Sequence, residues 1–225
     1  MWALPLTATA ISALFSGIVF RQYLERRNPA HLSWAVALFL FAVGTACDFL
    51  AIVSGWTPLI AKTYYLCGAT VVVGYLALGT LYLLAPKRLA QAWLILMLTA
   101  TVFAVILLAG AEVDPVKLRS DAEPGWKAID KPAALSVIVM AINSIGTVIL
   151  VAGAVYSAVY RRYMLANILI ASGTFVVAAG GSLMRLGHYE FQSGGQLAGI
   201  TIMFIGVLLT MKPSEKRLPE PATPL

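Results

Sequence analysis

A chain of 225 residues that is 60% apolar and only 12% charged has too little polar surface to clothe a soluble globule. Its apolar runs of about 20 residues instead match the hydrocarbon core of a bilayer. The net charge of +6 would suit a nucleic-acid binder, but the basic residues gather in short connections between apolar runs, which is a topology signal and not a binding patch.

Hydropathy predicts an all-α, polytopic membrane protein with seven transmembrane helices, over residues 3–21, 33–53, 58–84, 89–110, 133–160, 163–186 and 195–211. These make one transmembrane domain, 1–212, followed by a proline-rich tail, 213–225, that is expected to be disordered in the cytoplasm. The first run lacks a positively charged n-region, so it reads as a span and not as a cleaved signal peptide. The second carries Asp48, the only acidic residue placed inside an apolar run. At 1.5 Å per residue, Asp48 is expected about 7 Å below the outer end, where an ionised carboxylate is expensive unless paired or wetted. Thr57-Pro58, a cap followed by a first-turn proline, then starts the third span and brings Tyr64 and Tyr65 to a similar depth. That span is long enough to imply tilt or protrusion. Cys47 and Cys67 lie within spans and form no CxxC pair, so they read as buried thiols without a disulfide framework or zinc site.

After the fourth span, the segment 111–132 carries both charge signs, three prolines and Trp126. It either folds over the outer face or remains a mobile linker, and the sequence favours neither. The fifth span places Asn143, Gly146 and Gly153 on one face. The sixth carries Gly180-Gly181 and ends near Arg185, with His188 and Glu190 beyond. The last shows Gly195-x-x-x-Gly199, with Gly206 further on, and close helix packing is the expected role of these glycines. A faint duplication, Gly79 before Pro86 and Gly206 before Pro213, together with Ala42-x-Gly44 and Ala178-x-Gly180, relates spans one to three with five to seven.

Arg21, Arg26, Arg27, Lys87, Arg88, Arg161, Arg162, Lys212, Lys216 and Arg217 fall on one side, ten of the sixteen basic residues. The positive-inside rule therefore puts the N-terminus outside and the C-terminus inside. Trp2, Trp56 and Trp126 toward the outer boundary and Trp34 and Trp93 toward the inner one are where an aromatic belt belongs.

The chemistry narrows further. A retinal Schiff base needs a lysine in mid-span, whereas Lys212 sits at the end of the last one. His31 and His188 fall on opposite sides and cannot share a metal. With no GxSxG, no HExxH and no paired intramembrane carboxylates, an enzyme is disfavoured, and no cofactor or metal is expected. Asp48, Tyr64, Tyr65, Asn143, Arg185 and His188 form the candidate ligand-binding set at the outer side. The competing reading makes Asp48 and Arg185 a structural ion pair and Asn143 an interhelical hydrogen bond.

The stretch RRNPAHLSWAVALFLFAVGTACDFLAIVSGWTPLIAKTYYLCGATVVVGYLALGTLYLL resembles the second and third helices of the seven-helix sensor region at the N-terminus of some bacterial histidine kinases. There too a basic loop precedes an apolar helix ending in an acidic residue, with an aromatic-rich helix after it. The likeness covers about a quarter of the chain. It implies that Asp48, Tyr64 and Tyr65 belong to a ligand-sensing face. This chain departs from that pattern in carrying no kinase, so a signal would pass to a separate protein. The expectation is a receptor-like or accessory subunit of the cytoplasmic membrane, sensing a ligand or partner from outside. Its partners would be the lipid bilayer and another membrane or cytoplasmic protein, with no nucleic acid and with homo-oligomerisation left open. The alternative is a small transporter or channel built from two three-helix repeats joined by the fourth helix.

Overall fold

The computed structural model describes residues 2–119, 124–160, 164–185 and 191–211. It is all-helical, and strand pairing among those residues is confined to one bridge between Val113 and Ile129. The long helices are α1 (Ala3–Arg26), α2 (Pro29–Ser54), a composite α3 (Pro58–Leu84), α4 (Lys87–Gly110), α5 (Ala133–Tyr160), α6 (Met164–Arg185) and α7 (Phe191–Met211). Six of them, all but α6, are long and apolar enough to cross a membrane. In α6 the apolar stretch is the shorter Ile168–Gly181, so the predicted sixth span is a helix whose apolar part falls short of the other six. The predicted tail lies outside the described residues.

Local chemistry sets the connections. Arg27 adopts a left-handed conformation (φ 51°) that ends α1, its N–H donating to the Tyr23 carbonyl. Asn28 then caps α2 by accepting from Ala30 N at 3.0 Å, with Pro29 in the first turn, where a missing N–H costs nothing. At the far end of α2, Gly55 takes φ 82°, a conformation that disfavours any side chain. Thr57 Oγ1 caps α3 by accepting from Ile60 N at 3.2 Å, as Thr57-Pro58 predicts.

Helices α1, α2, α3, α5, α6 and α7 pack as a ring in which each touches the next and α7 closes on α1, while α4 lies against α3 and α5. Phe15, Val19, Leu38, Phe41, Val72, Ile200 and Met203 bring α1, α2, α3 and α7 into one apolar core, and Phe15 and Phe204 rings meet at 5.2 Å. Leu78, Trp93, Met97 and Ile142 form a second core between α3, α4 and α5. Outside, large apolar residues such as Ile95, Val148 and Phe175 are exposed. An apolar skin of this kind over a packed interior belongs in lipid and not in water.

Glycines set the closest approaches. A Cβ on Gly44 would lie 2.9 Å from the Gly68 Cα, so α2 and α3 touch backbone to backbone there. Gly195 and Gly180 do the same for α7 and α6, and a Cβ on Gly199 would meet the Gly173 carbonyl oxygen at 2.7 Å. Gly146 faces Val73, and Gly153 faces Thr80, so the Asn143 face of α5 turns toward α3. The packing role expected of these positions is what the structure shows; Gly181, in contrast, has open space around it.

Two tryptophans predicted for the inner belt turn inward instead. Trp34 Nε1 donates to the Leu76 carbonyl at 3.1 Å and Trp93 Nε1 to the Gly74 carbonyl at 3.0 Å, so both pin neighbouring helices to α3. Tyr75, midway along α3, has its hydroxyl 3.3 Å from Thr101 Oγ1 on α4.

The segment after α4 is a strap, not a free linker, through its described residues. Asp114 N donates to Ala128 O and Asp130 N to Glu112 O, each at 2.9 Å, clamping its two limbs together. Asp114 also caps a single turn, Pro115–Leu118, by accepting from Val116 N at 2.8 Å. Leu118, Ala128 and Ile129 are buried against Ala61, Tyr65, Ala104, Leu108 and Leu135, so the strap closes that end of the bundle.

Candidate functional site

Beneath the strap three polar side chains from three helices converge. Asp48 on α2, Tyr64 at the end of the first segment of α3, and Gln192 at the start of α7 are 7%, 3% and 8% exposed. Gln192 Nε2 donates to Asp48 Oδ2 at 3.0 Å and also to the Tyr64 hydroxyl oxygen in a short contact. Gln196, one turn further along α7, reaches both Asp48 and Tyr64 with its amide. Its oxygen is buried with no hydrogen-bond partner among the described residues.

The backbone explains the convergence. Gly44 and Gly68 bring α2 and α3 together, and one turn toward the strap from that contact stand Asp48 and Tyr64, each four residues from its glycine. A residue with a Cβ at position 44 would force the pair apart. Thr45, on the same stretch of α2, hydrogen-bonds Thr9 Oγ1 at 2.9 Å and ties α1 to this region. Above the cluster, Trp56 meets the Tyr64 ring edge-on at 5.8 Å and 82°, and Gly125 of the strap lies so close to Trp56 that a Cβ there would clash with it. A chain of contacts therefore runs from the strap through Trp56 and Tyr64 to Gln192 and Asp48.

Of the six residues singled out in the sequence, the structure brings Asp48 and Tyr64 together, through the Gln192 amide. Tyr65 points the other way. Its ring lies 6.2 Å from that of Trp126, and Lys131 Nζ sits 5.0 Å over each ring while donating to the Trp126 carbonyl at 3.0 Å. Burial there pulls the Lys131 ammonium below the usual lysine range, with Lys127 adding to the effect and Asp130 opposing it. Tyr65 is thus a strut for the strap. Asn143 donates to the Ala69 carbonyl on α3 at 2.9 Å, the interhelical hydrogen bond of the competing reading, and stands apart from the Asp48 cluster. Arg185 ends α6, but its side chain, like His188 and Glu190, lies outside the described residues, so the Asp48–Arg185 pair finds no test there.

Gln192 and Gln196 escaped the sequence reading. The signal was present as two amides four residues apart, but the predicted last span began at residue 195, which left Gln192 in a loop. The actual helix begins at Phe191 and carries both amides inward on one face.

Chemically, the cluster offers a carboxylate, a phenol and two amides in a desolvated place, groups that can give and accept hydrogen bonds. No protein-family model, curated protein or solved structure matches this chain.

Proposed function

We propose that this chain is a seven-span protein of the cytoplasmic membrane with its strap end outside, and that it acts as a receptor-like or accessory subunit. A ligand or partner arriving from the outer side alters the Asp48–Tyr64–Gln192 cluster, and the change passes through the helices to a separate protein. The observation that supports sensing over transport is the apolar packing beyond the cluster. There α1, α2, α3 and α7 meet in Phe15, Val19, Leu38, Phe41, Val72, Ile200 and Met203, and the buried hydroxyls of Ser16 and Ser33 beside them are committed to the Ala35 and Pro29 carbonyls. A transporter needs alternating access to a site through such a region, whereas a sensor needs only movement of the packed helices.

A second reading, transport by two three-helix repeats, has one observation in its favour. Exchanging α1–α3 with α5–α7 maps the α1·α7 contact onto the α5·α3 contact, so the helix neighbours obey the pseudo-symmetry that such repeats would impose.

Reconstituted vesicles separate the two. Tryptophan emission of the wild type, less that of Trp56→Phe, is followed while pools of small solutes are added outside. A sensor shows a saturable change at Trp56 with the solute remaining outside. Uptake of the solute into the vesicle lumen, lost in Asp48→Asn, would establish the transporter instead.

A further inference from the structure

Two tyrosines in a row, Tyr64 and Tyr65, stand where α3 changes its winding. Pro58–Tyr64 is α-helical, Tyr65–Thr70 is a π-helical turn, and Val72–Leu84 is α-helical again. A π-turn holds one residue more than the α-helix it interrupts, so the strap-side part of α3 sits one residue out of the register that Val72–Leu84 would give it. Rewinding the turn as α-helix carries Pro58–Tyr64 outward by one residue, a screw of about 100° and about 1.5 Å. Each residue there takes the place of the one before it. Tyr65 comes to the place of Tyr64, and Leu66 to that of Tyr65.

The sequence makes that exchange even at one place and uneven at the other. Beside Gln192, whose amide donates to the Tyr64 hydroxyl oxygen, a phenol replaces a phenol. Under the strap, where the Tyr65 ring lies 6.2 Å from that of Trp126 and 5.0 Å from Lys131 Nζ, leucine replaces the ring. Leu66 already packs against the same apolar core, so its arrival keeps that place apolar, but the ring stack and the cation–π contact are lost. The parts that must move are small or jointed. The strap-side segment is seven residues long, its connection to α2 turns on Gly55 at φ 82°, and after Leu66 the turn holds only Cys67, Gly68, Ala69 and Thr70. Two side-chain bonds to backbone pin the present winding, Thr70 Oγ1 to the Tyr65 carbonyl at 2.8 Å and Asn143 Nδ2 to the Ala69 carbonyl at 2.9 Å. We propose that α3 has two registers: the π-turned one, with Tyr64 on Gln192 and Tyr65 bracing the strap, and an α-wound one, with Tyr65 on Gln192 and the strap unbraced. Gln192 keeps a phenolic acceptor in both, so the strap is released without stripping the buried amide of its partner. The movement belongs to α3 itself and serves a sensor and a transporter alike.

Fluorine NMR of the purified full chain in nanodiscs tests this, with fluorotyrosine placed at position 64, 65 or 75 alone. Positions 64 and 65 should exchange between two environments on the microsecond-to-millisecond scale, with one rate and one minor fraction, because they move as one segment. Tyr75, beyond the turn, should take no part. Tyr64→Phe removes a hydroxyl that only the π-turned register uses beside Gln192, and should raise the minor fraction seen at 65 about fivefold. Lys131→Ala, which takes the cation from the braced register, should raise it too. Deleting Cys67 takes out the extra residue while leaving Tyr64 in place, and should abolish the exchange. Where that deletion does not fold, the two point variants decide. No exchange at 64 and 65, unequal fractions at the two, a minor fraction unmoved by Tyr64→Phe, or exchange that survives the deletion would each overturn the proposal. None of these outcomes depends on a solute, so the sensing reading is tested apart from them.

Discussion

At the scale of single residues, the site hangs on Gln192. Its amide bridges Asp48 and Tyr64, so Gln192→Leu leaves a buried carboxylate short of a donor and should cost about 1–3 kcal/mol. Asp48→Asn keeps the shape and a hydrogen-bonding oxygen, and should cost about 1 kcal/mol or less, in the range of intramembrane hydrogen bonds. Because the two residues share one bond, the double variant should lose less than the sum of the single losses. Denaturant unfolding in mixed micelles reads all three, and strictly additive losses would mean the bond contributes nothing. Asp48 and Tyr64 were legible in the sequence because a carboxylate in an apolar run advertises its own cost. Tyr65 packs away from Tyr64 although the two lie at one depth, because neighbouring residues on a helix project about 100° apart. That angle sends Tyr64 to α7 and Tyr65 to the strap.

At the scale of elements, α3 carries the feature that sequence concealed. Between Pro58–Tyr64 and Val72–Leu84 it runs as a π-helical turn, Tyr65–Thr70, with no proline to announce it. Such turns insert one extra residue and occur often at functional sites. Here the turn begins directly after Tyr64 and contains Gly68, the contact with Gly44. Asn143 grips its Ala69 carbonyl from α5, and Thr70 Oγ1 donates to the Tyr65 carbonyl at 2.8 Å. Asn143→Leu should therefore loosen the turn, lowering stability by about 1–2 kcal/mol and raising amide exchange within 65–70 before the rest of α3. Exchange unchanged in that segment would show that Asn143 does not hold it. Glycine packing was legible from spacing, and its strength is testable by contrast. Gly199→Leu puts a side chain where Val177 and the Gly173 carbonyl already stand, whereas Gly181→Ala meets nothing within 4 Å. The first should lower the melting temperature in detergent sharply and the second should leave it near wild type.

At the scale of the whole molecule, composition revealed a helical membrane-embedded chain because apolar content and run length answer directly to bilayer thickness. The order of helices around the ring was not legible, since hydropathy reports which segments are apolar and not which faces meet. The strap was undecided for a related reason: its order comes from burying Leu118, Ala128 and Ile129 on α3, α4 and α5, contacts distant in sequence. Orientation is a matter of charge bias, and reporter fusions after Lys212 and within 114–126 should place the first in the cytoplasm and the second outside. The reverse pattern would put the strap inside and end the proposal of outside sensing.

The central claim is that the Asp48 cluster opens only toward the strap end. Gln192→Cys, in a background with Cys47 and Cys67 replaced by serine, places a single thiol in that cluster, and a membrane-impermeant maleimide can be offered to either face of oriented vesicles. Slow labelling from the strap side, accelerated when Trp56→Ala loosens the cover over Tyr64, and none from the opposite side, is the result predicted. Labelling from the opposite face would contradict the account, because it requires a water path through the apolar plug of Phe15, Phe41, Ile200 and Met203.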